Sequence, residues 1–162
     1  MIQRENDTEN TEKMIQRIQT IFWFVVAVLF IVMIPNDWMT LFASNGDFTF
    51  SAFGVFNGEN QIITGVPLIL YLSLMAVLNF VIIFLYKKRI LQARLTTISI
   101  ILTLCFYLLV LMYRYMSFEG EITSTNWNFP LILPVINVIL SVLAWRGVVK
   151  DEAKVRSLDR LR

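Results

Sequence analysis

The chain has 162 residues, of which 57% are hydrophobic and 16% charged, with 14 Lys and Arg against 12 Asp and Glu. A soluble domain is about 45–50% apolar and about 25% charged, so this surplus exceeds what a core can house and points to lipid as solvent. One Cys and no His remove the commonest thiol and imidazole chemistry, and disordered, collagen-like and disulfide-stapled classes are excluded by the same composition.

Residues 1–13 are polar, with Glu5, Asp7, Glu9 and Glu12 against Arg4 and Lys13. They show no apolar period, and a disordered tail is expected there. Met-Ile-Gln-Arg occurs at 1–4 and again at 14–17, which makes Met14 an alternative start. Residues 14–162 are expected to form a single domain.

Four apolar stretches follow, at about 18–35, 66–86, 96–113 and 129–145. As helices each is about 25–31 Å long, close to the roughly 30 Å of a bilayer's hydrocarbon core. A chain this short cannot wrap four such helices in polar partners, so four membrane spans are expected. The first, followed by three more, reads as an anchor and not a cleaved signal. Thirteen of the 14 basic residues fall in 1–20, 87–94 and 146–162, and Arg114 alone falls on the other side. The positive-inside rule then places both termini in the cytoplasm. Trp38, Tyr113, Tyr115 and Trp127 sit at the outer boundary, Trp23, Tyr86 and Trp145 at the inner one, as interfacial aromatics do.

Between the first two stretches, Asn45-Gly46 and Asn57-Gly58 are strong hairpin turns, because both residue types accept positive φ at low cost. Phe48 and Phe50 alternate with Thr49 and Ser51, and the alternation slips near Ala52 to Gly54, as at a bulge. A three-stranded meander of about 38–44, 47–56 and 59–64 is expected outside the membrane. Phe48, Phe50, Phe53 and Phe56 supply its apolar content, either packed on the helix ends or exposed as a docking patch.

Inside the bilayer the polar residues are periodic. Thr96, Ser99, Thr103, Tyr107 and Arg114 fall within an arc of about 80° on the third helix. Pro130, Pro134, Asn137, Ser141 and Trp145 share an arc on the fourth, as do Tyr71, Asn79 and Tyr86 on the second. Polar atoms facing lipid have no partners, so a seam of Asn79, Ser99, Thr103, Tyr107, Asn137 and Ser141 should turn inward. It serves as helix–helix glue or as a solute pathway. Against a pathway, no Asp, Glu, His or Lys lies within the spans, and ion-coupled transport normally needs one. Pro134 should kink the fourth span and free a carbonyl for Tyr107 or Ser141. Arg114 should snorkel outward toward Glu119 or Glu121.

Cys105 stands alone in mid-span, and no phosphate-binding, dinucleotide, zinc-protease or nucleophile-elbow motif occurs. No cofactor, metal, nucleic-acid partner or enzymatic activity is expected. Residues 146–162 should form a cytoplasmic helix, with Glu152 and Arg156 at i,i+4. Its charged positions Lys150, Asp151, Glu152, Arg156, Asp159 and Arg160 are candidate contacts with a protein partner, a second copy or anionic lipid.

Three segments stand out: Met14-Ile15-Gln16-Arg17-Ile18-Gln19-Thr20, the segment Phe48 to Gly58 (FTFSAFGVFNG), and the closing Lys150 to Arg162 (KDEAKVRSLDRLR). Together they resemble the bacterial membrane family called domain of unknown function 4293. The resemblance covers about residues 14–162 and implies four spans in a bacterial inner membrane. It leaves residues 1–13 outside the family pattern, and it implies no activity, substrate or catalytic residue.

The expected fold is thus an all-α integral membrane four-helix bundle, with a small extracytoplasmic β element and a cytoplasmic C-terminal helix. The expected function is that of a non-enzymatic accessory or scaffold subunit acting through protein contacts. A small transporter or channel using the seam between helices 2, 3 and 4 is the alternative.

Overall fold

A computed structural model describes the backbone over residues 2–44, 46–117 and 122–159, and the side chains over 18–44, 46–86, 88–115, 123–150 and 152–153. Four long helices carry the fold: α1 (Ile2–Met33), α2 (Val66–Phe84), α3 (Arg89–Ser117) and α4 (Leu133–Asp159). Five strands accompany them: β1 (Asp37–Ala43), β2 (Gly46–Ser51), β3 (Gly54–Asn57), β4 (Asn60–Thr64) and β5 (Ile122–Trp127). They form one antiparallel sheet in the order β4-β3-β2-β1-β5.

The expected all-α class is therefore wrong: the molecule combines a helical bundle with a five-stranded sheet. The reason is topological. In an up-down-up-down bundle the α1–α2 and α3–α4 connections leave at the same end. Their backbone amides and carbonyls need partners, and β5 pairs with β1 from Met39–Trp127 to Ala43–Ile122 to supply them.

The expected meander also divides differently. Instead of a bulge near Ala52, a tight turn closes at the Ser51–Gly54 pair and separates β2 from β3. Gly54 permits it, with φ of +133° and a position where a Cβ would lie 2.0 Å from the Ile63 carbonyl oxygen. The Asn57-Gly58 turn is present: Asn57 pairs with Asn60, and Gly58 has φ of +59°. Of the other expected turn, Asn45 lies outside the described residues.

Helix boundaries follow local chemistry. Pro35 ends α1, since proline cannot continue the hydrogen-bond ladder and disfavours helix in the residue before it. The end of α1 is then capped from beyond: Asn36 Nδ2 donates to the Val32 carbonyl at 2.6 Å and Trp38 Nε1 to that of Met33 at 2.9 Å. Pro67 occupies the first turn of α2, where a missing N–H costs nothing. A single 3₁₀ turn, Leu85–Lys87, joins α2 to α3.

Two expectations about the helix ends change. The first helix begins at Ile2 and so runs through the segment expected to be a disordered tail. The carboxyl-terminal helix is not a separate element either, because α4 continues unbroken to Asp159.

Burial is inverted relative to a water-soluble bundle. The helices bury Asn79, Gln92, Thr96, Ser99, Thr103, Asn137 and Ser141, while Phe24, Leu70, Leu74, Leu104, Leu108 and Ile139 are exposed. Among the described residues, three helical segments are long and apolar enough to cross a membrane: Val66–Phe84, Arg89–Tyr115 and Phe129–Lys150; the apolar part of α1, Ile18–Met33, is shorter. The main core joins sheet to bundle, with Trp38, Leu41, Phe50 and Val55 packed among Phe30, Leu72 and Phe106. A second cluster of Trp23, Ile82, Ala144 and Val148 closes the opposite end.

Candidate functional site

Two regions concentrate polar or aromatic side chains: the seam between the helices and the sheet that covers one end. In the seam, Ser99 Oγ donates to Asn79 Oδ1 at 3.1 Å and so joins α3 to α2. Asn79 Nδ2 donates in turn to the Met75 carbonyl, four residues back on its own helix. Thr96 and Thr103 bond the carbonyls of Gln92 and Ser99 at 2.8 and 2.7 Å. Such back-bonding satisfies a hydroxyl that would otherwise face hydrocarbon.

Longer side chains reach across to free carbonyls. Tyr71 Oη donates to the Leu102 carbonyl, and Tyr107 Oη to that of Leu131 at 2.8 Å. Leu131 lies in the 3₁₀ turn Phe129–Ile132 ahead of α4. In that turn its carbonyl would look to the N–H of residue 134, and Pro134 has none. Of the two expected acceptor-seeking hydroxyls, Tyr107 engages this carbonyl and Ser141 has no hydrogen-bond partner. Pro134 is nevertheless the second residue of α4, where proline fits a helix start and needs no mid-span kink.

The seam is not a single network. Four of its six expected members are hydrogen-bonded, but both amide atoms of Asn137 and the Ser141 hydroxyl are buried without a hydrogen-bond partner. Asn137 and Ser141 lie one turn apart on α4, with 0% and 1% of their surfaces exposed. Trp23 Nε1, on α1, is buried and unpartnered in the same way.

Gln92 belongs to the seam and escaped the sequence reading, although it continues the Thr96, Ser99, Thr103 stripe by one turn. Its Nε2 donates to the Ile82 carbonyl at 3.0 Å, which also accepts the Leu85 N–H, and so ties α3 to the end of α2. Gln19 was missed as well. It is buried where α1 meets α4, beside Gly147, on the stripe it shares with Trp23, Val26 and Phe30.

In the sheet, the four phenylalanines separate. Phe48 and Phe50 are buried, so they are core rings and unavailable for docking, while Phe53 is 49% exposed and Phe56 is half-buried. Phe50 and Phe106 flank Trp38 with ring centroids 5.7 and 5.2 Å away, which ties β2 and α3 to the start of β1. Arg114 does lie at a helix end, but its described partners are in β5: its Nη2 donates to Thr125 Oγ1 at 3.3 Å, and its guanidinium stands 5.7 Å from the Trp127 ring centroid. The expected partners Glu119 and Glu121 lie outside the described residues.

Of the candidate contacts on the carboxyl-terminal segment, Lys150 is exposed and Glu152 half-buried. The side chains of Asp151, Arg156 and Asp159, and Arg160 altogether, lie outside the described residues. Cys105 is a free thiol. Among the described residues, no three of His, Cys, Asp and Glu gather closely enough to hold a metal ion.

Sheet, seam and inverted burial together define a class: an apolar helical bundle of membrane-spanning dimensions, capped at one end by an antiparallel sheet. The chain belongs to the family described as domain of unknown function (DUF4293), whose model matches residues 15–161. No curated protein and no solved structure matches the chain.

Proposed function

We propose that this chain is a multi-pass protein of a bacterial inner membrane, with four spans and both termini in the cytoplasm. It acts as a non-enzymatic accessory or scaffold subunit through contacts with a protein partner or a second copy of itself. The supporting observation is the contrast between the two faces of the fold. Most polar groups of the bundle are turned inward onto one another or onto backbone carbonyls, whereas the sheet carries exposed apolar side chains, Phe53 at its β2–β3 turn and Ile62 on edge strand β4. An edge strand also offers unpaired backbone groups to a partner.

Alkaline extraction of membranes, followed by crosslinking in intact cells and purification in mild detergent, tests both parts. The protein should remain in the membrane pellet and carry a reproducible neighbour. Release into the aqueous phase overturns the membrane reading. A species that migrates alone at every abundance overturns the scaffold reading.

One observation favours a second reading, a small transporter or channel along the seam. Asn137 and Ser141 hold buried polar atoms without protein partners, and intramembrane polar groups often mark solute paths. Alanine at Asn79, Tyr107 or Asn137 would then abolish flux of some solute while the protein still folds. Loss of thermal stability without any loss of flux assigns the seam to glue.

A further inference from the structure

A groove of about 390 Å³ opens between α3 and α4 at the end of the bundle opposite the sheet. That volume lies within the roughly 300–1,000 Å³ of small-ligand sites. One wall is a single face of α3, from Arg89 to Thr97, and the other a single face of α4, from Trp145 to Ala153. Its lining is mostly apolar, with Ile90, Ala93, Val148 and Val149, and includes the charged Arg89, Arg94 and Glu152; Val148 is buried, while Ile90 and Val149 are exposed. Arg89 and Glu152 each engage in interactions of their own, so the exposed Arg94 carries the charge argument. Lys88, Arg146 and Lys150 stand beside these positions in sequence and are exposed; against them stands Asp151, so the charge around the groove is positive on balance.

We infer that this groove binds an anionic phospholipid, the phosphate at Arg94 and the upper part of an acyl chain along Ile90, Val148 and Val149. The inference rests on the membrane reading above. An amphiphile with a negative head and an apolar tail matches a lining that joins cationic side chains to an apolar strip. Trp145 lines the same groove and offers a ring of the kind that settles at headgroup level. Basic pockets between membrane helices on the cytoplasmic side recognise anionic headgroups in this way. An apolar strip this short offers little to a protein helix, and a free anion would have no use for the apolar side chains.

The test is native mass spectrometry of the full-length protein in a neutral detergent, titrated separately with phosphatidylglycerol, phosphatidylcholine and inorganic phosphate. Phosphatidylglycerol should bind at least about fivefold more tightly than phosphatidylcholine, and phosphate alone should not displace it. Arg94→Gln should weaken phosphatidylglycerol about tenfold, the size of one charged hydrogen bond, at unchanged melting temperature. Val149→Trp, which fills the groove, should weaken both lipids. Lys150→Gln should change little.

Equal affinity for the two lipids, an unaffected Arg94→Gln variant, or an equal loss in Lys150→Gln overturns the site in favour of diffuse surface charge. Displacement by phosphate overturns it in favour of an anion site. These outcomes are distinct from failure of the membrane reading, which shows as a protein that stays in solution when detergent is removed.

Discussion

Ser99 on α3 and Asn79 on α2 meet at 3.1 Å, both with 0% of their surface exposed. It is a side-chain hydrogen bond between two helices of the bundle, far from either chain end. In lipid such a bond joins helices that the hydrophobic effect does not press together. Its worth is modest all the same, because the separated helices find other partners for the same groups.

Ser99→Ala should lower stability by about 0.6–1.5 kcal/mol, and Asn79→Ala by more, since the larger side chain also leaves a cavity. A double-mutant cycle read by thermal unfolding in detergent should return a coupling energy of about 0.5–1.5 kcal/mol. A coupling of zero would mean that the two groups do not interact in the folded protein.

Asn137 should respond in the opposite sense. Its amide is buried with neither atom hydrogen-bonded to protein, and a buried group left unpaired costs about 1–3 kcal/mol. Asn137→Leu, which keeps the branching of the side chain without its polar atoms, should therefore leave the melting temperature unchanged or raise it. A marked drop, measured by the same unfolding assay, would show that Asn137 holds a bound water or solute inside the bundle.

The junction between sheet and bundle turns on Gly65. A Cβ there would lie 2.1 Å from the Ala52 carbonyl oxygen and 2.2 Å from the Phe53 carbonyl carbon, and the Gly65 amide donates to the Phe53 carbonyl at 2.8 Å. Backbone cannot yield as a side chain can, so Gly65→Ala should cost at least about 3 kcal/mol. Gly58→Ala is the matched control. It meets nothing within 4 Å and has φ of +59°, so it should cost only the left-handed penalty of about 1–2 kcal/mol. Folded yield and melting temperature of the two variants side by side decide the point.

Trp38 links three elements through one side chain. Its ring is packed between Phe50 and Phe106, while Nε1 caps the Met33 carbonyl. Trp38→Ala should cost about 3–5 kcal/mol as a large core truncation. Trp38→Phe retains much of the packing but removes the donor, and should cost about 1–2 kcal/mol. If the two variants melt at the same temperature, the indole N–H carries most of the contribution and the packing estimate is wrong.

Much of the candidate seam was legible in the chain because its signal is local. Thr96, Ser99 and Thr103 recur at helical spacing within eight residues, so their common face needs no knowledge of the neighbours. The pairing of Asn79 with Ser99, and the isolation of Asn137, were not legible. Both depend on how far each helix is rotated and shifted along its axis, which the packing of rings such as Phe30 and Phe106 decides. The buried state of Phe48 and Phe50 was likewise open, since alternation marks a face without saying what covers it.

By itself the sequence determined four apolar helices, the glycine turn at Asn57-Gly58 and the segregation of charge, because each follows from neighbours within a few residues or from composition. Only the tertiary structure decided the five-stranded sheet. β5, Ile-Thr-Ser-Thr-Asn-Trp, has four polar residues in its middle and no apolar alternation to announce a strand, and it becomes one because antiparallel helices deliver it beside β1, where unpaired backbone groups already wait.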